Sequence, residues 1–506
     1  MSEEHSRGCL PREADIEKLF NEGLRLDNRE VPFYCQADGC VADPNCREGV
    51  VLDYIKDMCA EEARILQHIL CAKAPVKAVT FSSISLSALR AAFEKVEGWE
   101  SLEELRILDI DCEDEELTLD LSRALKNLQI LHLESETISG TFAGAIVKYL
   151  HENKSLQKLT LRYSCDGDEA AATIAEALGV NNTLKRLTLM SDEVPLSAMT
   201  LVAFAKSLEI NSTLELVDLL HSCFMEKELV SSMFEQDLYA NLFKRILVTW
   251  KQDLLPQLTK LIREDRHYSV VSVSITCFVD KEILRNFFEA LGSSRTLSAL
   301  HLYDSSGCFD EHVSGIADLV KKTNTLKDIH ILKDPVNCTG EGYGREQQLV
   351  QILDALKENR SVTTFIMQAS LTQIDTAMSL SELLAVNDTL SEVAILDVSE
   401  VGDMYSIILE GLRQNHTLTR LTLTLNPFED AQSVAEMRKL VKRNGRLLDQ
   451  AVKFVTGECT ELEAADAAEK LRASAALVDA LKGRTGKTTE AVHHDIEAAL
   501  SRLNNA

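Results

Sequence analysis

The stretch Asn153-Lys-Ser-Leu-Gln-Lys-Leu-Thr-Leu-Arg162 decides the fold of this chain, because the same pattern returns along most of its length. Clear copies begin at Asn182, Asn324 and Asn415, and each places leucine or isoleucine at three positions spaced i, i+3 and i+5. A fixed period is typical of a solenoid, in which each repeat packs only against its neighbours. The first apolar residue of each copy recurs mostly every 27 to 30 residues, at positions 76, 105, 128, 156, 184, 214, 243, 270, 297, 326, 362, 390 and 418.

Each copy begins with a short strand. Leu159 and Leu161 alternate with polar residues in the clearest copy, which predicts a strand whose two leucines face the core. Lys158, Thr160 and Arg162 then face outward. A short polar residue follows the strand in most copies and is expected to hydrogen-bond the backbone of the turn, as at Ser164, Asp192, Ser222, Ser305, Asp334, Ser370 and Asn426.

A helix completes each copy. Ala171, Ile174 and Leu178 recur at helical spacing, and Gly179 marks the end of the predicted helix. A strand followed by a full helix needs about 28 residues, whereas repeats with extended backbone in place of the helix need only about 20 to 24. The period therefore predicts the helical subtype. Most copies close on an Asn-x-Ser/Thr triplet, which we assign to the repeat rather than to glycosylation, at Asn153, Asn181, Asn211, Asn359, Asn387 and Asn415.

The whole pattern resembles ribonuclease-inhibitor-type leucine-rich repeats. The resemblance rests on x-Leu-x-x-Leu-x-Leu, the polar residue after the strand, a helix with Ala-x-x-Leu and the closing Asn-x-Thr/Ser. It covers roughly residues 76 to 450 and is weakest over residues 220–270 and at an insertion over 335–345. The resemblance implies an α/β horseshoe solenoid, with parallel strands on the concave face and helices on the convex face. It also implies protein binding, usually through the concave face.

The segments before and within the array have different patterns. Residues 1–75 do not follow the repeat, and their apolar spacing predicts a helical N-terminal capping subdomain with a long helix over residues 51–70. Residues 76–455 are predicted to form an array of about 13 repeats with a C-terminal cap. Asn444 is expected to open the last copy, which is helical and lacks a good strand.

The C-terminal segment is rich in Ala and Glu. Residues 456–506 predict a helical tail, with one helix over 465–481, a break at Gly483 and a second helix over 496–503. These helices could fold back on the last repeat or reach a partner helix. We favour the first alternative.

The chain is strongly acidic. Lys and Arg total 53 against 80 Asp and Glu, which gives a net charge of −27. Such a chain repels phosphate backbones and anionic lipid surfaces, so we predict no nucleic-acid partner and no membrane. The sequence shows neither an apolar stretch of membrane-spanning length nor a secretory signal, and its 13 cysteines are mostly scattered singly, as expected for reduced thiols. We predict a cytoplasmic protein.

Two motifs suggest chemistry but lack the required spacing. The segment Gly483-Arg-Thr-Gly-Lys487 is similar to a phosphate loop, which needs a further glycine where this chain has Leu481. Cys35, Cys40 and Cys46 lack the second pair of ligands found in tetrahedral zinc sites. We therefore predict a helix-breaking turn and loop cysteines, with no cofactor and no metal. No nucleophile–base set or paired carboxylates stand out, so we expect no enzyme.

An acidic run lies in the first repeats. It includes Asp109, Asp111 and residues 113–116. The run is either a solvated edge of the array or a site for a basic partner. We favour the solvated edge, although the outward strand positions of Asp109 and Asp111 add support to the second alternative.

The outward strand positions of successive repeats form the best candidate binding surface. They change along the array from acidic to basic and then to apolar and histidine-rich. Aromatic and arginine side chains around an apolar centre are typical of binding hot spots. The residues that we predict to bind a partner are Lys158, Arg162, Arg186, Leu216, Leu220, His301, Tyr303, His330 and Ile366.

These features predict a non-catalytic, monomeric scaffold or recognition protein with one or more protein partners. A substrate receptor of a ubiquitin ligase is an alternative, because Leu10-Pro11 could open an F-box-like region, although the loop at residues 35–49 interrupts its helices. An activator of a small GTPase is a second alternative, because one family of such activators has the same repeat subtype and an acidic tail. The tail of this chain is mixed in charge and departs from that family. A fragment of an innate-immune receptor is the third.

Overall fold

The computed structural model of the chain contains two compact units. The first comprises Met1–Phe224 and Gln236–Val248, and the second comprises Met225–Glu235 and Thr249–Ala506. The division falls inside the predicted array. The structure describes residues 50–56, 63, 76–93, 99–111, 125–138, 140–165, 168–191, 198–219, 224–225, 242–275, 279–304, 310–333, 346–369, 373–396, 404–423 and 431–503.

Strands and helices alternate along most of the described chain. The strands are β1 Val50–Lys56, β2 Val76–Ser85, β3 Glu104–Asp111, β4 Ile130–Ile138, β5 Lys158–Cys165, β6 Arg186–Ser191, β7 Leu216–Asp218, β8 Phe224–Met225, β9 Ile246–Leu247, β10 Thr249–Lys251, β11 Val270–Ile275, β12 Ala299–Asp304, β13 Asp328–Lys333, β14 Thr364–Gln368, β15 Glu392–Leu396 and β16 Arg420–Leu423. The helices are α1 Leu86–Ala92, α2 Gly140–Glu152, α3 Asp168–Leu178, α4 Ala198–Ile210, α5 Leu255–Arg263, α6 Lys281–Ser293, α7 Asp310–Lys322, α8 Glu346–Glu358, α9 Ile374–Val386, α10 Met404–Gln414, α11 Ala431–Thr456, α12 Leu462–Lys470, α13 Ala475–Thr485 and α14 Thr489–Leu503.

The strands form two sheets. The first sheet has the order β1-β2-β3-β4-β5-β6-β7-β9, and the second has the order β16-β15-β14-β13-β12-β11-β10-β8. From β1 to β7 and from β10 to β16, each strand pairs in parallel with the next. Such nearest-neighbour pairing of successive strand–helix units fits a repeat solenoid. The weakly matching copy at position 243 contributes β9 to the first sheet and β10, after Val248, to the second.

The prediction for the clearest repeat is confirmed except at Thr160. In β5, Leu159 and Leu161 are fully buried, whereas Lys158 and Arg162 are exposed. Thr160 also belongs to the outward set but is largely buried. The helix α3 ends at Leu178, directly before Gly179, as the apolar spacing predicts.

A ladder of buried asparagines joins successive repeats. Asn211 accepts hydrogen bonds from the backbone N–H groups of Thr213 (2.8 Å) and Leu214 (2.7 Å). Its Nδ2 donates to the carbonyls of Leu178 and Asn181 in the preceding repeat, both at 2.6 Å. Buried backbone groups need such partners, so one amide serves two repeats at once. Equivalent bonds are made by Asn153, Asn181, Asn359, Asn387 and Asn415.

One repeat beyond Asn211 and one beyond Asn415, an arginine adds donors to the carbonyls of the preceding repeat, although a guanidinium cannot accept hydrogen bonds as the asparagine does. Arg245 donates to the carbonyls of Leu208 (2.8 Å), Asn211 (2.7 Å) and Leu214 (2.9 Å). In the second unit, Arg443 donates to the carbonyl of Asn415. Burial lowers the pKa of both guanidinium groups. The polar residues expected to stabilise the turns after the strands have no described side chains, so that prediction lies outside the described structure.

Two predicted helices near the ends of the array differ in the structure. Residues 50–56 form strand β1, which pairs in parallel with β2, and not the start of a helix. Pairing with the edge of the sheet supplies hydrogen-bond partners for the backbone, and the spacing of apolar residues in the segment itself does not indicate such pairing. Asn444 lies inside α11 rather than at the start of a copy, yet its Nδ2 still donates to the carbonyl of Leu418 at 2.9 Å.

The tail folds onto α11. Buried residues of α11, α12, α13 and α14 form one apolar core that includes Phe454, Ala468, Leu481 and Ile496. The single helix predicted over residues 465–481 is instead two helices, because both apolar segments pack into this core. The break falls at Gly486, whose φ of 67° suits glycine, and not at Gly483. Within the described residues, no helix has the length and apolar character needed to cross a bilayer.

Candidate functional site

The predicted surface residues of the first unit form a row across its sheet. Lys158 in β5 pairs in register with Arg186 in β6, which pairs with Leu216 in β7. Neighbouring strands lie about 4.8 Å apart, so Lys158 and Arg186 emerge side by side. Both are exposed, and neither forms an ion pair with another described residue. This part of the face therefore presents two uncompensated cations.

On strands β3 and β4, acidic side chains lie close to basic ones. Glu134 lies 2.8 Å from His132 Nε2 and 3.9 Å from Arg162 Nη1. Arg106 Nε donates to Glu104 at 2.6 Å. Sequence reasoning missed Arg106 and His132 as surface residues, although each directly follows an inward leucine of its repeat, as Thr160 does. Among the described side chains, this face is therefore polar, with basic groups that are partly balanced by Glu104 and Glu134.

The corresponding row of the second unit has a different chemistry. His301 in β12 pairs in register with His330 in β13, and His330 pairs with Ile366 in β14. The two imidazole rings stack, with centroids 4.4 Å apart and planes inclined by 9°. His301, His330 and Ile366 are all half-buried. The row thus combines a stacked pair of flat rings with an adjoining aliphatic side chain.

Burial sets the charge state of His330. It lowers the pKa of His330, while the carboxylates of Asp328 and Glu392 act in the opposite direction with smaller effect. Glu392 is itself neutralised in part by Arg420, whose Nη1 lies 2.8 Å away. His330 therefore favours the neutral form near pH 7, which suits contact with an apolar partner.

Two of the predicted binding residues differ from expectation, and a third is not described. Leu216 is 4% exposed and Tyr303 is 6% exposed, so both lie in the protein interior and offer little surface to a partner. Tyr303 stands between Ser274 and Leu332 on the sheet. Burial of a strand residue depends on what covers its face, and the strand period alone does not contain that information. Leu220 lies outside the described residues.

The other sequence candidates provide no assembled site in the described chain. The glycine-rich segment joins α13 to α14, and its Lys487 pairs with Asp495 at 2.7 Å. Across the stretches that the structure describes, no three His, Cys, Asp or Glu side chains are grouped as metal ligands. The cysteines at 35, 40 and 46, like residues 113–116 of the acidic run, lie outside those stretches. Asp109 and Asp111 belong to β3, but their side chains are not described.

Comparison with known proteins gives similarity only to solved structures. No family model matches the chain, and no curated protein matches it. Actin-binding site 2 of leiomodin-1 is 18% identical, with a TM-score of 0.26, over 40% of this chain and 96% of that one. The tropomodulin C-terminal domain of Caenorhabditis elegans is 14% identical, with a TM-score of 0.24, over 38% of this chain and 95% of that one. The yeast Rad7 and Elc1 complex is 13% identical, with a TM-score of 0.36, over 74% and 87%. Scores this low carry no argument about function.

Proposed function

We propose that this chain is a non-catalytic recognition protein of the ribonuclease-inhibitor-type leucine-rich-repeat class. In this proposal the array is a horseshoe whose concave face is formed by the outward sides of the parallel strands. That face binds another protein in the cytoplasm, and the array acts as a monomer without a cofactor. The ligase-receptor alternative rests on Leu10-Pro11, which lies outside the described residues, and no described feature favours it.

The observation that carries the proposal is the alignment of outward side chains in consecutive strands. Lys158 and Arg186 are adjacent on one sheet, and His301, His330 and Ile366 are adjacent on the other. Rows of this kind cover a continuous area. Ladder asparagines join β5 to β6 through Asn181 and β13 to β14 through Asn359. Two surface chemistries on one chain support a partner that has an acidic region and an apolar region, or two separate partners.

The test compares two double variants in affinity purification from native lysate. Lys158→Glu with Arg186→Glu reverses the charge of the first face, and His301→Ser with His330→Ser removes the stacked rings of the second. Lys206→Glu and Lys321→Glu are matched controls, because these exposed lysines lie on helices α4 and α7. Circular dichroism and melting curves would confirm that every variant is folded.

We expect the wild-type chain to recover a stoichiometric protein partner that at least one face variant loses by tenfold or more and both controls retain. A partner that both face variants retain would contradict binding through the sheet faces. If deletion of residues 1–49 alone abolished recovery, the N-terminal segment would carry the interaction instead, as the ligase-receptor alternative requires.

A further inference from the structure

Helix α11 exposes a row of cations that the proposed function does not use. Arg438, Lys442 and Arg446 are spaced four residues apart, so they lie on one side of the helix, and all three are exposed. Lys439 is exposed beside them. Residues 438–446 include five basic residues and no acidic one, in a chain whose net charge is −27. We refer to Arg438, Lys442 and Arg446 as the basic row.

No carboxylate of the described chain compensates the basic row. None of its three side chains forms an ion pair there. Glu436, two residues before Arg438, forms an ion pair with Arg413 at 3.0 Å. The exposed face of α6 shows the more usual arrangement, since Arg285 lies 3.8 Å from Glu282 and 4.0 Å from Glu289 on the same helix.

The fold itself does not require the basic row. Like charges four residues apart on a helix repel each other, so Arg438–Lys442 and Lys442–Arg446 destabilise the free helix. The helix dipole favours cations only near its last turn, and Arg438 lies in the second turn of a helix that extends to Thr456. Arg443, by contrast, has a structural role, because its guanidinium donates a hydrogen bond to the carbonyl of Asn415.

We propose that the basic row binds an acidic segment of a partner protein. The row extends for about 12 Å, and its cations are about 6 Å apart. Carboxylates have nearly the same spacing when they lie one turn apart on a helix or two residues apart in an extended strand. At physiological salt, charges interact over only about 8 Å. A short acidic segment bound at the row is therefore attracted by its cations and is only weakly repelled by the acidic rest of the chain. A nucleic-acid duplex or a bilayer would extend well beyond the row and meet that remainder.

The test measures binding of a fluorescently labelled 12-residue poly-glutamate peptide to the full chain by anisotropy. Arg438→Glu, Lys442→Glu and Arg446→Glu are combined in one variant. The control variant combines Lys260→Glu, Arg263→Glu and Arg285→Glu, three exposed cations of α5 and α6, and changes the net charge equally. The same titrations use a short DNA duplex and phosphatidylserine vesicles. The Lys158→Glu/Arg186→Glu variant separates this site from the sheet face.

We expect the basic-row variant to bind the peptide at least tenfold more weakly than wild type. The control variant should stay within about twofold, and binding should weaken as salt is added. Any loss of peptide binding in the Lys158→Glu/Arg186→Glu variant measures the separate contribution of the sheet face. Lys442→Glu alone should raise the melting temperature by about 1 °C, because it replaces repulsion by attraction to Arg446. Equal peptide binding by the basic-row variant, or preferential binding of duplex or vesicles, would overturn the proposal. Self-association that the variant abolishes in sedimentation would assign the row to a second copy of the chain instead.

Discussion

The two units share a buried framework and differ on their exposed sheet faces. Asn211 in the first unit and Asn387 in the second make the same bonds, accepting from two backbone N–H groups and donating to carbonyls one repeat earlier. Outside, the first unit presents Lys158 and Arg186, whereas the second presents the stacked pair His301 and His330. The buried asparagines maintain the repeat, whereas the side chains of the outer row can differ between the units and serve recognition.

The largest expected effect is a loss of stability on removal of a ladder asparagine, which tests whether the asparagines stabilise both units equally. Asn181→Ala and Asn387→Ala should each lower the free energy of unfolding by about 3 kcal/mol, because several buried backbone groups lose their partners. Urea unfolding at pH 7.5 measures this. Asn182→Ala and Asn324→Ala are matched controls at exposed positions and should change the free energy by less than about 0.5 kcal/mol. A unit that tolerates loss of its ladder asparagine would show that the two frameworks are not equivalent.

A second prediction concerns helix packing at two glycines, one in each unit, whose replacement by alanine should have opposite effects on stability. A Cβ at Gly411 in α10 would lie 1.9 Å from the carbonyl oxygen of Ser381 in α9, so Gly411→Ala should destabilise the chain by about 2 kcal/mol. Gly144 in α2 of the first unit is exposed and has no atom within 4 Å of that position. Gly144→Ala should therefore stabilise the chain by about 0.5 to 1 kcal/mol. Thermal melting checks both, and shifts of equal sign would refute the contrast.

The smallest expected effect is a dependence on pH in the second unit. Burial lowers the pKa of His330, and burial together with Arg443 and Lys470 lowers the pKa of His416. Below about pH 6.5 the unfolded chain takes up protons that the folded histidines resist, so acid favours unfolding. The stabilising effect of these groups is thus present above that pH and is lost as the pH falls.

The measurement is urea unfolding of wild type and of the His330→Gln/His416→Gln variant at pH 7.5 and 5.5. We expect the free energy of unfolding to fall more in wild type than in the variant over this interval. An equal fall in both proteins would mean that the two histidines titrate alike in the folded and unfolded states.

Much of the fold follows from local pattern, and the exceptions have physical causes. Leu159 and Leu161 are buried, and α3 ends before Gly179, because alternation and helix termination act within one repeat. Strand β1 was not predicted, since the apolar residues of 50–56 suit both a helix and a strand. Its signal was present in the sequence: Val50 precedes Val76 by 26 residues, close to the period of the array.

The candidate site was only partly predictable. The repeat offset identified His301, His330 and Ile366 as one row, and their register agrees with it. The same offset placed Leu216 and Tyr303 on the surface, where the structure buries them. The basic row on α11 was missed, because sequence reasoning treated that segment as a cap and did not compare the charges along its exposed side.

By itself, the sequence determined the alternation of strand and helix and the positions of the asparagines, because both arise from contacts inside one repeat or between neighbours. The tertiary structure decided that β1 joins the sheet edge, that Arg245 and Arg443 continue the ladder, and that two imidazole rings stack. It also decided which outward side chains are covered. These features depend on groups that are far apart in the chain, and only folding brings such groups within hydrogen-bonding or van der Waals distance.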